Sequence, residues 1–169
     1  MEIQEFKYKV LPFKNKLFRF ALRIVGNAAE AEDVVQEVFI KLWNQREKLH
    51  EYNNLEAWCI RMTKNLSIDK TRSKHFNLGI IPDGFDISSN RENPHKMAEQ
   101  QDTVSRIKRL INNLPEKQKL VMQLRDIEGM SYKEIEDALS IPMNQVKVYL
   151  FRARKQIRTQ LINTESYGL

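Results

Sequence analysis

The stretch from Met143 to Leu161 carries the most legible chemistry. With about 100° between successive residues of a helix, Lys147, Val148, Phe151, Arg154, Lys155 and Arg158 share an arc of about 120°. Val146, Leu150, Ala153, Ile157 and Leu161 line the neighbouring arc. One side packs, and the other presents cations around a phenylalanine. In a major groove, Lys and Arg reach guanine edges and Phe touches a thymine methyl, while outlying arginines hold phosphates. A merely solvated basic face is the plain alternative. Phe151 argues against it, because an exposed aromatic among cations serves no packing need. The preceding residues also complete a pattern. Ser131-Tyr-Lys-Glu134 is a capping box opening a helix that buries Ile135, Ala138 and Leu139, and Ser140-Ile141-Pro142 is a tight turn. A capped helix, a turn and a longer basic helix make a helix-turn-helix.

A second ridge lies earlier in the chain. Arg61, Lys64, Asn65, Ile68 and Arg72 share one helical face, with Trp58 at its edge, opposite a core stripe of Leu55, Cys59, Met62 and Leu66. Cations and an amide beside an aromatic suit a strand with exposed bases, and an ordinary surface has the same composition. Glu32, Asp33, Gln36 and Glu37 form an acidic patch that would repel DNA. It suits a protein partner, or simply solubility. His50, His75 and His95 lack ligand spacing and there is no Cys pair, which disfavours zinc. No nucleophile–base pairing is visible, so neither catalytic residues nor a metal, cofactor or small-molecule substrate are expected. Cys59 is expected as a buried thiol.

The elements that position these residues are helical. Phe6, Val10, Phe13, Leu17, Phe20 and Ile24 step by three and four, interrupted by Pro12 and stopped by Gly26. Asn27 and Glu30 can cap a second helix burying Ala31, Val34, Val35, Val38, Phe39, Leu42 and Trp43. Asn53 and Glu56 can cap a third. Later, Val104, Ile107 and Ile111 mark a short helix. Pro115 is expected at the first position of another, whose core face is Leu120, Val121, Leu124 and Ile127, ended by Gly129.

Among 169 residues there are 28 basic and 22 acidic side chains, a net charge of +6. Residues 1–75 carry +4, residues 76–102 carry −3 and residues 103–169 carry +5. Two basic lobes with an acidic strap suggest two nucleic-acid-facing domains. The strap holds Gly79, Pro82, Asp83-Gly84 and Asn93-Pro94 and reads as a flexible linker. The expected fold is all-α: two small helical domains, 1–75 and 103–169, joined by the flexible acidic linker 76–102, the C-terminal domain being a helix-turn-helix. Five glycines disfavour an all-β sandwich and glycine-rich phosphate loops. No run approaches the ~20 apolar residues of a membrane span, so no membrane insertion is expected. A single cysteine and no signal pattern point to the cytoplasm.

In this order and spacing the motifs resemble the extracytoplasmic-function sigma factors of the sigma-70 family. Ala31-Glu-Asp-Val-Val-Gln-Glu-Val-Phe39 with Leu42-Trp43 resembles the family's polymerase-docking helix. Trp58, Asn65, Asp69 and Arg72 resemble its promoter-melting helix. Leu114-Pro-Glu-Lys-Gln118, Gly129 to Ile135 and Val146 to Arg154 resemble its upstream-element reader. The resemblance implies that Asp33, Gln36 and Glu37, within the acidic patch that includes Glu32, bind core RNA polymerase. It implies that Arg61, Asn65 and Arg72, with Trp58, engage the −10 element, and that Lys48 to Asn54 capture a flipped base. Lys147, Val148, Phe151, Arg152 and Arg154 would read the −35 element. Core polymerase, promoter DNA and an anti-sigma factor are the implied partners. Ser140 stands where the family often has glycine, Val148-Tyr149 replaces commonly polar or basic residues, and Asp137 puts a negative charge near the turn. A dimeric helix-turn-helix regulator is the rival reading. It would leave the acidic helix and the Trp58 helix without a role. A 27-residue coil spans about 26–31 Å, short of the ~50–70 Å between two promoter elements. The free protein is therefore expected to be compact.

Overall fold

The computed structural model describes residues 1–77 and 103–166, all helix, turn or loop. The expected linker falls almost wholly outside them. In the first lobe, α1 (Ile3–Val10) and α2 (Lys14–Val25) are separated by a 3-10 turn, Leu11–Phe13. Pro12, expected to start or kink a helix, sits in the break after which α2 starts: the proline ring fixes φ and removes an amide donor. Gly26 ends α2 in the left-handed region, φ 71°, and donates its amide to Leu22. α3 (Ala28–Asn44) begins at Asn27, whose side chain accepts from the Glu30 amide at 3.0 Å. Glu30 does not complete the expected box; its carboxylate takes Lys74 instead, at 2.9 Å.

α4 (Leu55–Asn77) is capped one residue later than expected. Asn54, not Asn53, accepts from the Ala57 amide at 2.8 Å. Its packing face also differs. Cys59 is buried as anticipated, but Leu55, Met62 and Leu66 are only half-buried. The rest of the buried stripe is Ala57, Ile60, Thr63, Ser67 and Thr71. Hydrophobic periodicity passes over this seam because its later members are hydroxyls. Thr63 and Thr71 satisfy theirs on the Cys59 and Ser67 carbonyls one turn back, at 2.8 and 2.9 Å. Around α4 pack Val10, Leu17, Phe20, Val34, Val38 and Leu42, all essentially inaccessible. Each such burial contributes about 1.5–3 kcal/mol.

In the second lobe, α5 (Thr103–Asn112) and α6 (Glu116–Met122) precede α7 (Tyr132–Leu139) and α8 (Met143–Ser166). Pro115 is the residue before α6 rather than its first. After Met122 the chain makes a π turn, Gln123–Ile127, closed by the Glu128 amide on the Gln123 carbonyl at 3.0 Å. One extra residue per turn shifts the face. Leu124 stays buried, but Ile127, expected in the core, is 44% exposed, and Gln123 is buried instead. Lys119 is also buried, its amine 3.3 Å from Glu116, whose carboxyl burial pushes upward. The Ser131–Glu134 capping box forms in both directions, at 3.2 and 2.7 Å.

Ser140 ends α7 with φ 56°. A serine in the left-handed region carries a Cβ penalty of about 1–2 kcal/mol that glycine avoids. Ser140→Gly is expected to raise unfolding free energy by up to about 1 kcal/mol after glycine's greater chain entropy is subtracted; an unchanged or lower urea midpoint would refute the strain. Burial pushes the Cys59 thiol up to about 12. It should therefore resist alkylation by iodoacetamide at pH 8 in the native protein and react fully in urea; rapid native labelling would contradict this.

Candidate nucleic-acid interface

The capping box and the Ser140 turn aim α8. Its first turns expose Lys147, Val148, Phe151 and Arg152 together, Phe151 at 67%. Val146, Leu150 and Ala153 anchor the opposite side. Tyr132, absent from the sequence-based set, organises this surface. The Arg125 guanidinium lies 4.6 Å from its ring centroid and the Lys147 amine 5.5 Å, both within cation–π range. Arg125 also donates to the Met130 carbonyl at 2.8 Å. Two cations from different elements are thus set against one aromatic ring.

Arg154 differs from its neighbours. It donates twice to Asp126, from Nε at 3.0 Å and from a terminal nitrogen at 2.5 Å. That hydrogen bond with Asp126 raises its pKa. The π turn presents Asp126 to α8, so this pair braces α8 against the element carrying Asp126.

On α4, Tyr52 and Trp58 stack at 4.6 Å and 14°, and the Arg61 guanidinium lies 6.0 Å from the Trp58 ring. Asn65 and Arg72 are exposed. Arg61 and Lys64 are not. Arg61 donates to the Asp137 carbonyl and Lys64 to the Leu139 carbonyl at 3.4 Å, both at the C-terminal end of α7. Burial, with a smaller contribution from Arg61, lowers the Lys64 pKa. Trp58 Nε1 and Arg61 Nε are buried without a hydrogen-bond partner among the described residues.

The lobes meet again along α2. Arg19 donates through Nε and a terminal nitrogen to the two oxygens of Glu128, at 2.8 and 2.7 Å. This hydrogen bonding raises the Arg19 pKa. The Glu128 side chain is 2% exposed and also accepts from Gln123 Nε2 at 3.0 Å. Arg23 donates to Gln123 Oε1 at 3.0 Å and to Asn112; burial lowers its pKa. Asn54 Nδ2 reaches the other oxygen of the capping Glu134 at 3.4 Å.

The acidic set shares the outer face of α3, where Glu32, Asp33, Gln36 and Glu37 are all exposed. Asp33 pairs with Lys70 at 3.2 Å and Glu37 with Lys41 at 3.4 Å. Ile40 lies one turn beyond Gln36 on that face, 60% exposed. Sequence reasoning missed it, although an apolar residue centred on a charged face was there to be seen. Among the described residues no cluster of three or more His, Cys, Asp or Glu could hold a metal, and no helix is long and apolar enough to cross a membrane.

Comparison with known proteins matches sigma-70 region 2 to residues 10–76 and sigma-70 region 4 to residues 105–157. The sigma factor SigZ of Bacillus subtilis is 30% identical over 163 residues, covering 92% of this chain and 89% of that protein. The sigma factor SigW of the same organism is 29% identical over 158 residues, covering 88% and 84%. SigE of Mycolicibacterium smegmatis is 28% identical over 154 residues; the match covers 90% of this chain and 60% of that longer protein. Two solved structures share the fold. RpoE in complex with the anti-sigma factor NepR from Bartonella quintana has a TM-score of 0.74 at 21% identity, covering 94% of this chain and 98% of RpoE. CnrH in complex with the cytosolic domain of CnrY has a TM-score of 0.66 at 20% identity, covering 96% and 90%. With the region 2 helices ahead of a region 4 helix-turn-helix and the SigZ and SigW matches each covering more than four-fifths of both chains, the chain belongs to the sigma-70 family of RNA polymerase sigma factors, in its extracytoplasmic-function branch.

Proposed function

We propose that the protein docks on core RNA polymerase through α3, reads a −35 element with α8 and engages the separated −10 strand with α4. The observation that carries this is the pairing, in one chain, of an acidic helix face with a cation-and-aromatic reading helix. A polyanion binder has no use for exposed Glu32, Asp33, Gln36 and Glu37 on its nucleic-acid side, but a second protein does. Ile40 supplies the apolar centre that such an interface needs. On α8, Lys147 and Arg152 make polar contacts while Phe151 and Val148 meet apolar base edges. Arg154, held by Asp126, orients the helix and supplies charge near the phosphates. On α4, Trp58 offers a stacking surface, and Arg61, Asn65 and Arg72 hold the strand. The Lys48 to Asn54 segment, which begins inside the 3-10 turn Arg46–Glu51, takes an unstacked base in this reading. This reading assigns binding domains to 1–75 and 103–169 and a connecting role to 76–102. It makes the protein a non-catalytic, cytoplasmic subunit without cofactor, under control of an anti-sigma partner. A dimeric regulator finds no support, because it leaves region 2 idle.

Run-off transcription with purified core polymerase and a promoter library tests the whole. Defined initiation is expected only when the protein is present, and its absence on every template would end the reading. The double variant Lys147→Glu/Arg152→Glu should lose at least about tenfold of −35-dependent transcription, since each good base contact discriminates by about 1–3 kcal/mol, while still co-eluting with polymerase. Asp33→Lys/Glu37→Lys should do the reverse: co-elution falls at least about tenfold, as expected for reversed charges across an interface, and binding of region 4 to duplex DNA is unchanged. If Lys147→Glu/Arg152→Glu also lowers co-elution with polymerase, or Asp33→Lys/Glu37→Lys also lowers region 4 binding to duplex DNA, the division of labour is wrong.

A further inference from the structure

Cations from separate elements gather around one ring in the second lobe. Tyr132 is the first residue of α7, fixed in place by the Ser131–Glu134 capping box. Arg125 reaches its ring from the π turn, the guanidinium 4.6 Å from the centroid, and Lys147 reaches it from α8, the amine at 5.5 Å. Arg154 feels the same side chain: Asp126 dominates the rise in its pKa, and Tyr132 adds to it. These cations are held by different means. Arg154 commits its guanidinium fork to Asp126. Arg125 gives an N–H to the Met130 carbonyl. Among the described residues no carboxylate or carbonyl takes the Lys147 amine. An aromatic face attracts a cation through its quadrupole rather than through a lone pair. Lys147 is therefore placed without surrendering an N–H to an acceptor, which a carboxylate in the ring's position would have taken.

We propose that Tyr132 is a positioning residue for sequence reading: its ring holds the Lys147 ammonium on the DNA-facing side of α8, and Arg125 holds the ring. This inference rests on the α8 reading given above. A lysine stem is long and flexible, and left in solvent its charge serves any phosphate within reach. Ordering it costs rotamer freedom, and a contact made before binding removes that cost from the binding step. The gain falls on the base edge in front of the amine. It therefore shows as base preference rather than as general affinity, because phosphate contacts carry no sequence information. The ring alone does this, and the Tyr132 hydroxyl has no part in it.

The test separates positioning from packing and from phosphate binding. Holoenzyme is assembled from the full chain and purified core polymerase, and transcripts from a promoter library randomised across the −35 element are sequenced. Lys147→Ala should flatten base preference by about tenfold at the position the amine reads. Tyr132→Leu should flatten the same position by about twofold to fivefold, the size of a cation–π contact at an exposed site, and leave the others intact. Tyr132→Phe keeps the ring and should match the unaltered protein. Tyr132→Leu/Lys147→Ala should be no flatter than Lys147→Ala alone, because the ring acts only through the amine. A second measurement needs no loss of the ring. The Lys147 ε-methylene protons, assigned by their disappearance in Lys147→Ala, should resonate upfield of those of the other lysines in the full chain, as a ring current requires; an ordinary shift would overturn the contact. Tyr132→Phe behaving as Tyr132→Leu would assign the effect to the hydroxyl and overturn the ring's role. A uniform loss on every template in Tyr132→Leu would reduce Tyr132 to packing or phosphate binding, and additive losses in the double variant would separate it from Lys147; either overturns the proposal. Flattening in Lys147→Ala with none in Tyr132→Leu would overturn the proposal alone. No change of preference anywhere in Lys147→Ala would overturn the α8 reading at that residue, and the proposal with it.

Discussion

A surface built to hold a polyanion must place its cations somewhere when the polyanion is absent. Arg61 and Lys64 rest on helix-end carbonyls, Arg19 on a nearly inaccessible carboxylate, Arg154 on Asp126, and Arg125 and Lys147 on an aromatic face. Phe151 and Val148 are left bare, and they are the residues that DNA could cover at no electrostatic penalty. Neutral or weakly polar surroundings would leave each cation fully hydrated and each reading surface uncommitted. Here the partners hold several of them in defined positions.

The π turn after α6 is the geometric pivot of the second lobe. It directs Gln123 inward, where its amide bridges Arg23 and Glu128, and it carries Asp126 to Arg154. An uninterrupted α-helix would bury Ile127 and point these polar groups elsewhere. One extra residue in a turn therefore sets both the bracing of the reading helix and the acceptors that face the first lobe. The capping box acts similarly at two levels. Glu134 closes the start of α7 with one oxygen and receives Asn54 of the other lobe with the second.

Much of this was legible beforehand, for identifiable reasons. The Ser131 box, the Gly26 stop and the α8 core follow from local rules that involve only neighbouring residues, and the structure shows each of them, with Leu161 at the end of the α8 stripe only half-buried. The misses share a cause. Asn54 capping in place of Asn53, Pro115 standing one residue before α6, and the π turn all concern single-residue shifts, which hydrophobic spacing does not resolve. The buried face of α4 was misplaced because Thr63, Ser67 and Thr71 look polar in a sequence, although two of them are satisfied along their own helix. Tyr132 was overlooked as a positioning group because its role depends on Arg125 and Lys147 arriving from two different elements. The lobe-to-lobe contacts pair residues 75 or more positions apart and leave no local trace.

The seam along α4 has a mechanical meaning. Thr63 and Thr71 are satisfied from within, so nothing in the seam's named bonds ties α4 sideways to α2 or α3. The directional ties lie at the rim, where Lys16 meets Glu56, Lys70 meets Asp33 and Lys74 meets Glu30 through long, jointed side chains. The seam holds α4 by close packing, and the named directional bonds to α2 and α3 stand outside it. A sideways pull on this helix therefore meets long ion-paired side chains at the edge before it reaches the packed hydroxyls inside.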